Sequence, residues 1–279
     1  VGDIERLAPG LAFAAKRLLR VGVVLLGLRL SIGEVTALGV PTLLLVIATV
    51  AATFFGTQLL GRRLGLSAPL SLLVATGYSI GGASAIAAME QTSEAEEEDV
   101  AMAIGLVTMA GTLAMFTLPL IATTIGLSDQ QFGTWVGASV HDVAQVVAAA
   151  STGGASVLAV AAVVKLTRVV LLAPIVAGVS FQRSRRSATV DGGSPPILPG
   201  FVVGFLAMVL LRSTGSVPAA VVDAVKVVEG LLLTTALVGL GAGVRISRLR
   251  TLGGRPLVLG AAAWVLVAVV SLAGTSLLV

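Results

Sequence analysis

The chain has no cysteine and a single histidine. The first absence excludes disulfides, thiol catalysis and thiolate metal sites. The second leaves too few nitrogen ligands for a zinc centre. Only 11% of the 279 residues are charged, and 4% are aromatic. A soluble domain of this length carries about a quarter charged residues. The abundant residues are apolar or small: 56% of the chain is hydrophobic, 33 residues are glycine, and the mean hydropathy is +1.05. Apolar runs long enough to cross a bilayer recur throughout, which predicts an all-α, polytopic membrane protein. The pI near 10.3 does not point to nucleic acid, because the arginines sit in short loops between apolar runs.

The hydropathy pattern predicts about nine transmembrane segments, near 15–33, 40–60, 68–90, 99–125, 131–150, 155–181, 197–212, 226–244 and 256–278. Together they form one membrane domain over residues 1–279. The start, VGDIERLAPG, carries both charge signs and no signal-peptide pattern. A chain lacking upstream spans is therefore an expectation. Lys16, Arg17, Arg20, Arg62, Arg63, Arg183, Arg185, Arg186, Arg245, Arg248, Arg250 and Arg255 all fall on one side if the N-terminus is cytoplasmic. Arg29, Arg212, Lys226 and the acidic loop SEAEEED (Ser93–Asp99) then fall on the other, and nine spans put the C-terminus outside. Ser93 followed by Glu96 reads as a capping box for the helix starting at Val100.

GLRLSIGEVTALGVPTL (Gly27–Leu43) resembles GVRISRLRTLGGRPLVL (Gly243–Leu259). Seven spans separate the copies, so they point in opposite directions. Inverted repeats of this kind build secondary transporters with a midplane site.

Two segments are interrupted. Ser79, Gly81, Gly82 and Ser84 cluster in the third. Ser139, His141, Asp142 and Gln145 stand in the fifth, WVGASVHDVAQVVAAA. Unwound backbone is tolerated at membrane depth only where it is buried in protein or lines a polar cavity. Each segment reads either as a broken helix, as a re-entrant hairpin, or as close small-residue packing. Counting spans makes the two parallel, which conflicts with an inverted pair.

In the sixth segment Lys165 and Arg168 lie about midway, at i and i+3 on one helical face. A charge at that depth costs at least about 2.5 kcal/mol unless it meets a partner or a wet cavity. Two readings follow. Asp142 neutralises one of them in a structural ion pair, or the cluster is a transport site whose surplus positive charge suits an anion. Arginine's fork matches sulfate, sulfonate or carboxylate, and His141 can move a proton near neutral pH.

SIGGASAIAA (Ser79–Ala88), SVHDVAQVVAA (Ser139–Ala149), KLTRVVLLAP (Lys165–Pro174) and LLRVGVVLLGLRLS (Leu18–Ser31) resemble the YeiH-like family of bacterial inner-membrane proteins, described as sulfate exporters. The likeness covers nearly the whole chain, although that family more often carries Cys where this chain has Gly81. Gly81–Leu120 is more distantly similar to bile-acid-type symporters of the sodium/proton antiporter superfamily. These resemblances imply a transporter rather than an enzyme, with no cofactor and no metal, and a homodimer as in many members. They point to export of a small anion, with Ser79, Gly81, Gly82, Ser84, Ser139, Lys165 and Arg168 binding substrate. His141, Asp142 and Gln145 would bind a coupling proton or sodium. The rival expectations are a cation/proton antiporter carried by Asp142, a membrane-embedded enzyme using His141 and Asp142, and a passive channel.

Overall fold

The computed structural model describes residues 17–187, 200–242 and 253–279, with positions 10 and 13. Every element among them is helical, as the composition predicts. In chain order these are α1 (Leu19–Leu26), α2 (Ile32–Ala37), α3 (Gly39–Arg63), α4 (Ala68–Thr76), α5 (Ala83–Ser93), α6 (Glu97–Ile125), α7 (Asp129–Ser139), α8 (Val143–Ser151), α9 (Ala155–Val170), α10 (Leu172–Ser187), α11 (Gly200–Ser213), α12 (Ala219–Ala242) and α13 (Arg255–Leu278). Among the described residues, four helical stretches are long and apolar enough to cross a membrane: Gly39–Arg63, Glu97–Ile125, Ala155–Arg183 and Arg255–Leu278. Residues 243–252, which hold most of the second repeat copy and Arg245, Arg248 and Arg250, lie outside the described residues.

The chain divides into two compact units. The first joins Val1–Gly33 to Val170–Val244. In it α1 packs on α11 and α12. Glycines permit the close approach: Gly204 lies against Val24, and Gly27 lies against the Phe205 carbonyl and Met208. Arg29 Nη1 donates to Glu229 Oε2 at 3.1 Å, and the Glu229 side chain is almost fully buried. Lys226 is not a loop residue. It lies within α12 and pairs with Asp223 at 2.9 Å.

The second unit joins Glu34–Val169 to Arg245–Val279. Its frame is α3 against α13. Along α3, Thr42, Leu45, Val46, Thr49, Val50, Thr53, Thr57 and Gly61 form a buried stripe at helical spacing. Leu44, Ile47, Phe55 and Leu59 face outward. The threonines and Gly61 of this face allow close packing beside the buried Leu45, Val46, Val50 and Phe54. Leu45 meets Gly274, Gly56 meets Leu266, and Gly61 meets Leu259, so the two helices run antiparallel.

Both interrupted segments turn back on themselves. In the third, α4 ends at Thr76, a π-turn covers Gly77–Gly81, and α5 begins after Gly82. Gly77 packs on Ile86, and α4 lies alongside α5. Ser67, the N-cap of α4, donates from Oγ to Asp99 Oδ2 in the first turn of α6 at 3.1 Å. A straight helix would set residues 67 and 93 about 39 Å apart at ~1.5 Å per residue. The segment is therefore a hairpin that enters and leaves at one end of the unit. Its tip sits at the depth of Leu106, whose carbonyl accepts from the Tyr78 hydroxyl at 2.9 Å.

The fifth segment repeats the design. Ser128 and Gln131 cap α7 reciprocally. Val140 and Asp142 are extended, and α8 then returns. Ser156 Oγ, at the start of α9, donates to Asp129 Oδ2 at 3.0 Å, at the start of α7. Gly133 packs on Val157 and Val160, and Gly137 on Ala161 and Val164, so α7 and α9 run side by side in the same direction.

Only α6 crosses between the hairpins, so they enter from opposite ends. The conflict raised by counting nine spans is thereby resolved: segments three and five do not cross, and they are inverted. One consequence corrects the charge map. The acidic loop Ser93–Asp99 lies at the same end as Arg62 and Arg63, not opposite them. A second correction concerns its cap. Ser93 ends α5, donating to the Glu90 carbonyl at 3.0 Å, and α6 starts at Glu97 after Glu96 without a side-chain cap. The acids Glu97, Glu98 and Asp99 do occupy the first turn of α6, where the helix dipole favours them.

Candidate functional site

The two hairpin tips meet. A methyl group built on Gly82 would lie 3.3 Å from the carbonyl carbon and oxygen of His141 and 3.4 Å from the amide nitrogen of Asp142. Each hairpin delivers two helix ends to this point: the C-terminus of its first half and the N-terminus of its second. The first halves bring carbonyls that have no intrahelical partner.

Lys165 and Arg168 meet those carbonyls. They stand one turn apart on α9, and both are fully buried. Lys165 Nζ donates to Ile80 O at 2.8 Å and to Val140 O at 3.1 Å, one from each tip. Arg168 Nε donates to Ser79 O at 3.0 Å, and Nη2 to Tyr78 O and Ser79 O, both at 2.8 Å. Its Nη1 reaches Gly137 O at 3.3 Å and Val140 O at 3.1 Å. A cation at a helix C-terminus is favoured by the dipole as well as by hydrogen bonding. Together the two side chains tie both tips to α9.

Asp142 does not neutralise either cation by direct pairing. Among the described residues neither Lys165 nor Arg168 makes a carboxylate ion pair. Asp142 instead begins α8: its Oδ1 accepts from Ala144 N at 2.9 Å. Gln145 Oε1 accepts from Asp142 N at 3.2 Å, which completes a capping box. Gln145 Nε2 also reaches Thr108 O on α6 at 3.4 Å. The i, i+3 spacing of Asp142 and Gln145 therefore marks a helix start, not one face of a continuous helix. The α5 N-terminus has only Gly82 at the equivalent place, with no side-chain cap.

His141 is fully buried between the tips, its ring set against the Tyr78 main chain without a well-formed hydrogen bond from either nitrogen. Its ring centroid lies 4.5 Å from that of Tyr78, tilted by 56°. The three serines turn back onto their own helices. Ser79 Oγ reaches Thr76 O at 3.5 Å, Ser84 Oγ donates to Gly81 O at 2.9 Å, and Ser139 Oγ donates to Trp135 O at 2.6 Å. No cluster of acidic or histidine side chains that could hold a metal occurs among the described residues.

All ten candidate residues thus gather at or beside the hairpin crossing. Sequence reasoning missed Tyr78, which packs against His141 and braces the tip against α6. It is the only tyrosine in the chain, set inside a glycine cluster, and that rarity was a legible signal. The carbonyls of Ile80, Gly137 and Val140 carried no signal, because a main-chain acceptor looks the same at every residue.

The two tip glycines differ. Gly82 has φ 66° and ψ −144°, a region reached essentially by glycine alone. A methyl group on Gly81 makes only ordinary 3.6 Å contacts with Ala85 and Val169. Gly82→Ala is expected to cost about 1–3 kcal/mol of stability, and Gly81→Ala little. Thermal unfolding of the two purified variants checks this, and equal midpoints would contradict the tip geometry.

A family described as "Conserved hypothetical protein 698" matches residues 2–260. A UPF0324 membrane protein of Corynebacterium glutamicum is 44% identical over 271 residues, covering 97% of this chain and 79% of the relative. The chain belongs to the UPF0324 membrane protein family. Another UPF0324 member, from Paracoccus pantotrophus and named TauZ, is 38% identical over 281 residues, covering 99% of this chain and 83% of its own. A Bacillus cereus member is 33% identical over 253 residues, covering 90% and 72%. The YeiH-like resemblance fits this family. No solved structure matches the chain. The family match takes in both hairpins and α9, so the crossing lies wholly inside the matched region.

Proposed function

We propose that this UPF0324 protein is a secondary transporter that exports a small anion across the bacterial inner membrane by alternating access at the hairpin crossing. One observation carries the reading: two fully buried cations, paired with no carboxylate, stand where two inverted hairpins meet. Carbonyl dipoles satisfy their donors, and with Asp142 the one carboxylate acting on Lys165 from a distance, two cations still leave a net positive charge. The N-termini of α5 and α8 add partial positive charge at the same point. A sulfate, sulfonate or carboxylate answers that field.

In this reading Lys165 and Arg168 supply the field, and Ser79, Gly81, Gly82, Ser84 and Ser139 line the site. His141, Asp142 and Gln145 serve the coupling ion. The end bearing Arg62, Arg63 and Arg255 is cytoplasmic, because orientation follows Lys and Arg and the acids of the Ser93–Asp99 loop count little.

The test is flux of labelled sulfate, taurine and a dicarboxylate in proteoliposomes, with and without a pH gradient. Wild type is expected to move at least one of them. Lys165→Ala is expected to reduce that flux at least tenfold. Asp142→Asn keeps an oxygen for the α8 cap, so it removes charge without removing the helix start. If no anion moves but protons exchange for cations in an Asp142-dependent way, the exporter reading gives way to a cation/proton antiporter.

A further inference from the structure

The position of Lys165 Nζ carries more than a positive charge. It sits fully buried between Ile80 O on one tip and Val140 O on the other, with no carboxylate partner. Unwound carbonyls from interrupted segments are the groups that membrane carriers use to strip and hold a sodium or potassium ion. Here a lysine ammonium, a compact point charge on a flexible stem, fills that position. Arg168 occupies the neighbouring carbonyls of Tyr78, Ser79 and Gly137 and shares Val140 O with Lys165.

We propose that Lys165 is a tethered cation: its ammonium permanently occupies an alkali-cation site formed by Ile80 O and Val140 O, so the protein works without bound sodium or potassium. The transporter reading gives this site its purpose, since the anion's charge is then balanced by the chain itself. The site does not depend on that reading, because its geometry involves only lysine and main chain.

Removing the side chain should unmask the site. Lys165→Ala leaves two buried carbonyls, one from each tip, facing a space the size of the lost stem. A small cation entering there should stabilise the fold by mass action.

The experiment is thermal unfolding of the purified full chain in lithium, sodium, potassium and choline chloride at one ionic strength. Wild type is expected to unfold at the same temperature in all four. Lys165→Ala is expected to unfold earlier in choline, and to regain several degrees, saturably, in one of the alkali salts. Lys165→Gln, whose amide can donate to both carbonyls, is expected to show no such dependence. Where Lys165→Ala is hard to recover, yield of monodisperse protein in each salt is the same readout.

Wild type stabilised by sodium or potassium would mean the site is open, and overturns the proposal. So does Lys165→Ala that is indifferent to the cation, whether folded in every salt or in none. No substrate is needed, so this result stands apart from the flux assay. Anion flux by wild type beside a cation-indifferent Lys165→Ala sinks the tethered cation alone, and a cation-rescued Lys165→Ala beside a wild type that moves no anion sinks the exporter reading alone.

Discussion

Arg168→Ala is expected to abolish recovery of folded protein. Arg168 makes five hydrogen bonds to four carbonyls at the hairpin crossing, and the side chain is fully buried. Truncation leaves the carbonyls of Tyr78, Ser79 and Gly137 without that donor, while Val140 O keeps Lys165. Each buried acceptor left unsatisfied costs about 1–3 kcal/mol. Three of them reach a sum comparable with the ~5–15 kcal/mol that holds a typical domain together. Arg168→Lys keeps the charge but loses the planar fork. It can serve one or two of the carbonyls, so partial recovery is expected. The measurement is monodisperse yield followed by thermal unfolding, with wild type, Arg168→Lys and Arg168→Ala in descending order. Arg168→Ala as stable as wild type would mean that the tips do not depend on α9.

Single-cysteine labelling is expected to show that Arg63 and Glu94 lie on one side of the membrane, and Gln130 and Ser151 on the other. The chain has no native cysteine, so each substitution introduces the only thiol. All four positions are exposed. Arg63 precedes the first hairpin and Glu94 follows it. Gln130 and Ser151 stand at the open end of the second. In oriented vesicles, an impermeant maleimide is expected to label Arg63→Cys and Glu94→Cys together, and Gln130→Cys and Ser151→Cys only from the opposite face. Two membrane-crossing broken helices would instead split each pair. That outcome would remove the inverted arrangement and the crossing with it. The contrast is all or none, because crossing about 30 Å of hydrocarbon changes reagent access completely.

The polar side chains of the fifth segment, His141, Asp142 and Gln145, have a physical explanation. Asp142 and Gln145 start a half-helix beside the hairpin crossing, and their capping box satisfies its first amides. His141 lies between the tips against the Tyr78 main chain, with neither nitrogen in a well-formed hydrogen bond. Lys165 and Arg168 are there because two half-helices end at the same depth. The cost of burying a charge is offset by carbonyls that would otherwise have none to meet.

The sequence by itself determined the all-helical membrane class, the apolar segments, the two interruptions and the short list of polar residues at depth. Those features are local: hydropathy, glycine content and i, i+3 spacing are properties of neighbouring residues. Direction was not legible. A helix that breaks and continues and a helix that breaks and returns share the same composition. Only Ser67 meeting Asp99 and Ser156 meeting Asp129 separate them, and each contact joins residues far apart in the chain. The acceptors of Lys165 and Arg168 were hidden for a related reason. They are carbonyls, which every residue carries, and tertiary structure decides which ones are left free at a half-helix end. The sequence therefore named the cations, and the meeting of the two hairpin tips decided what they hold.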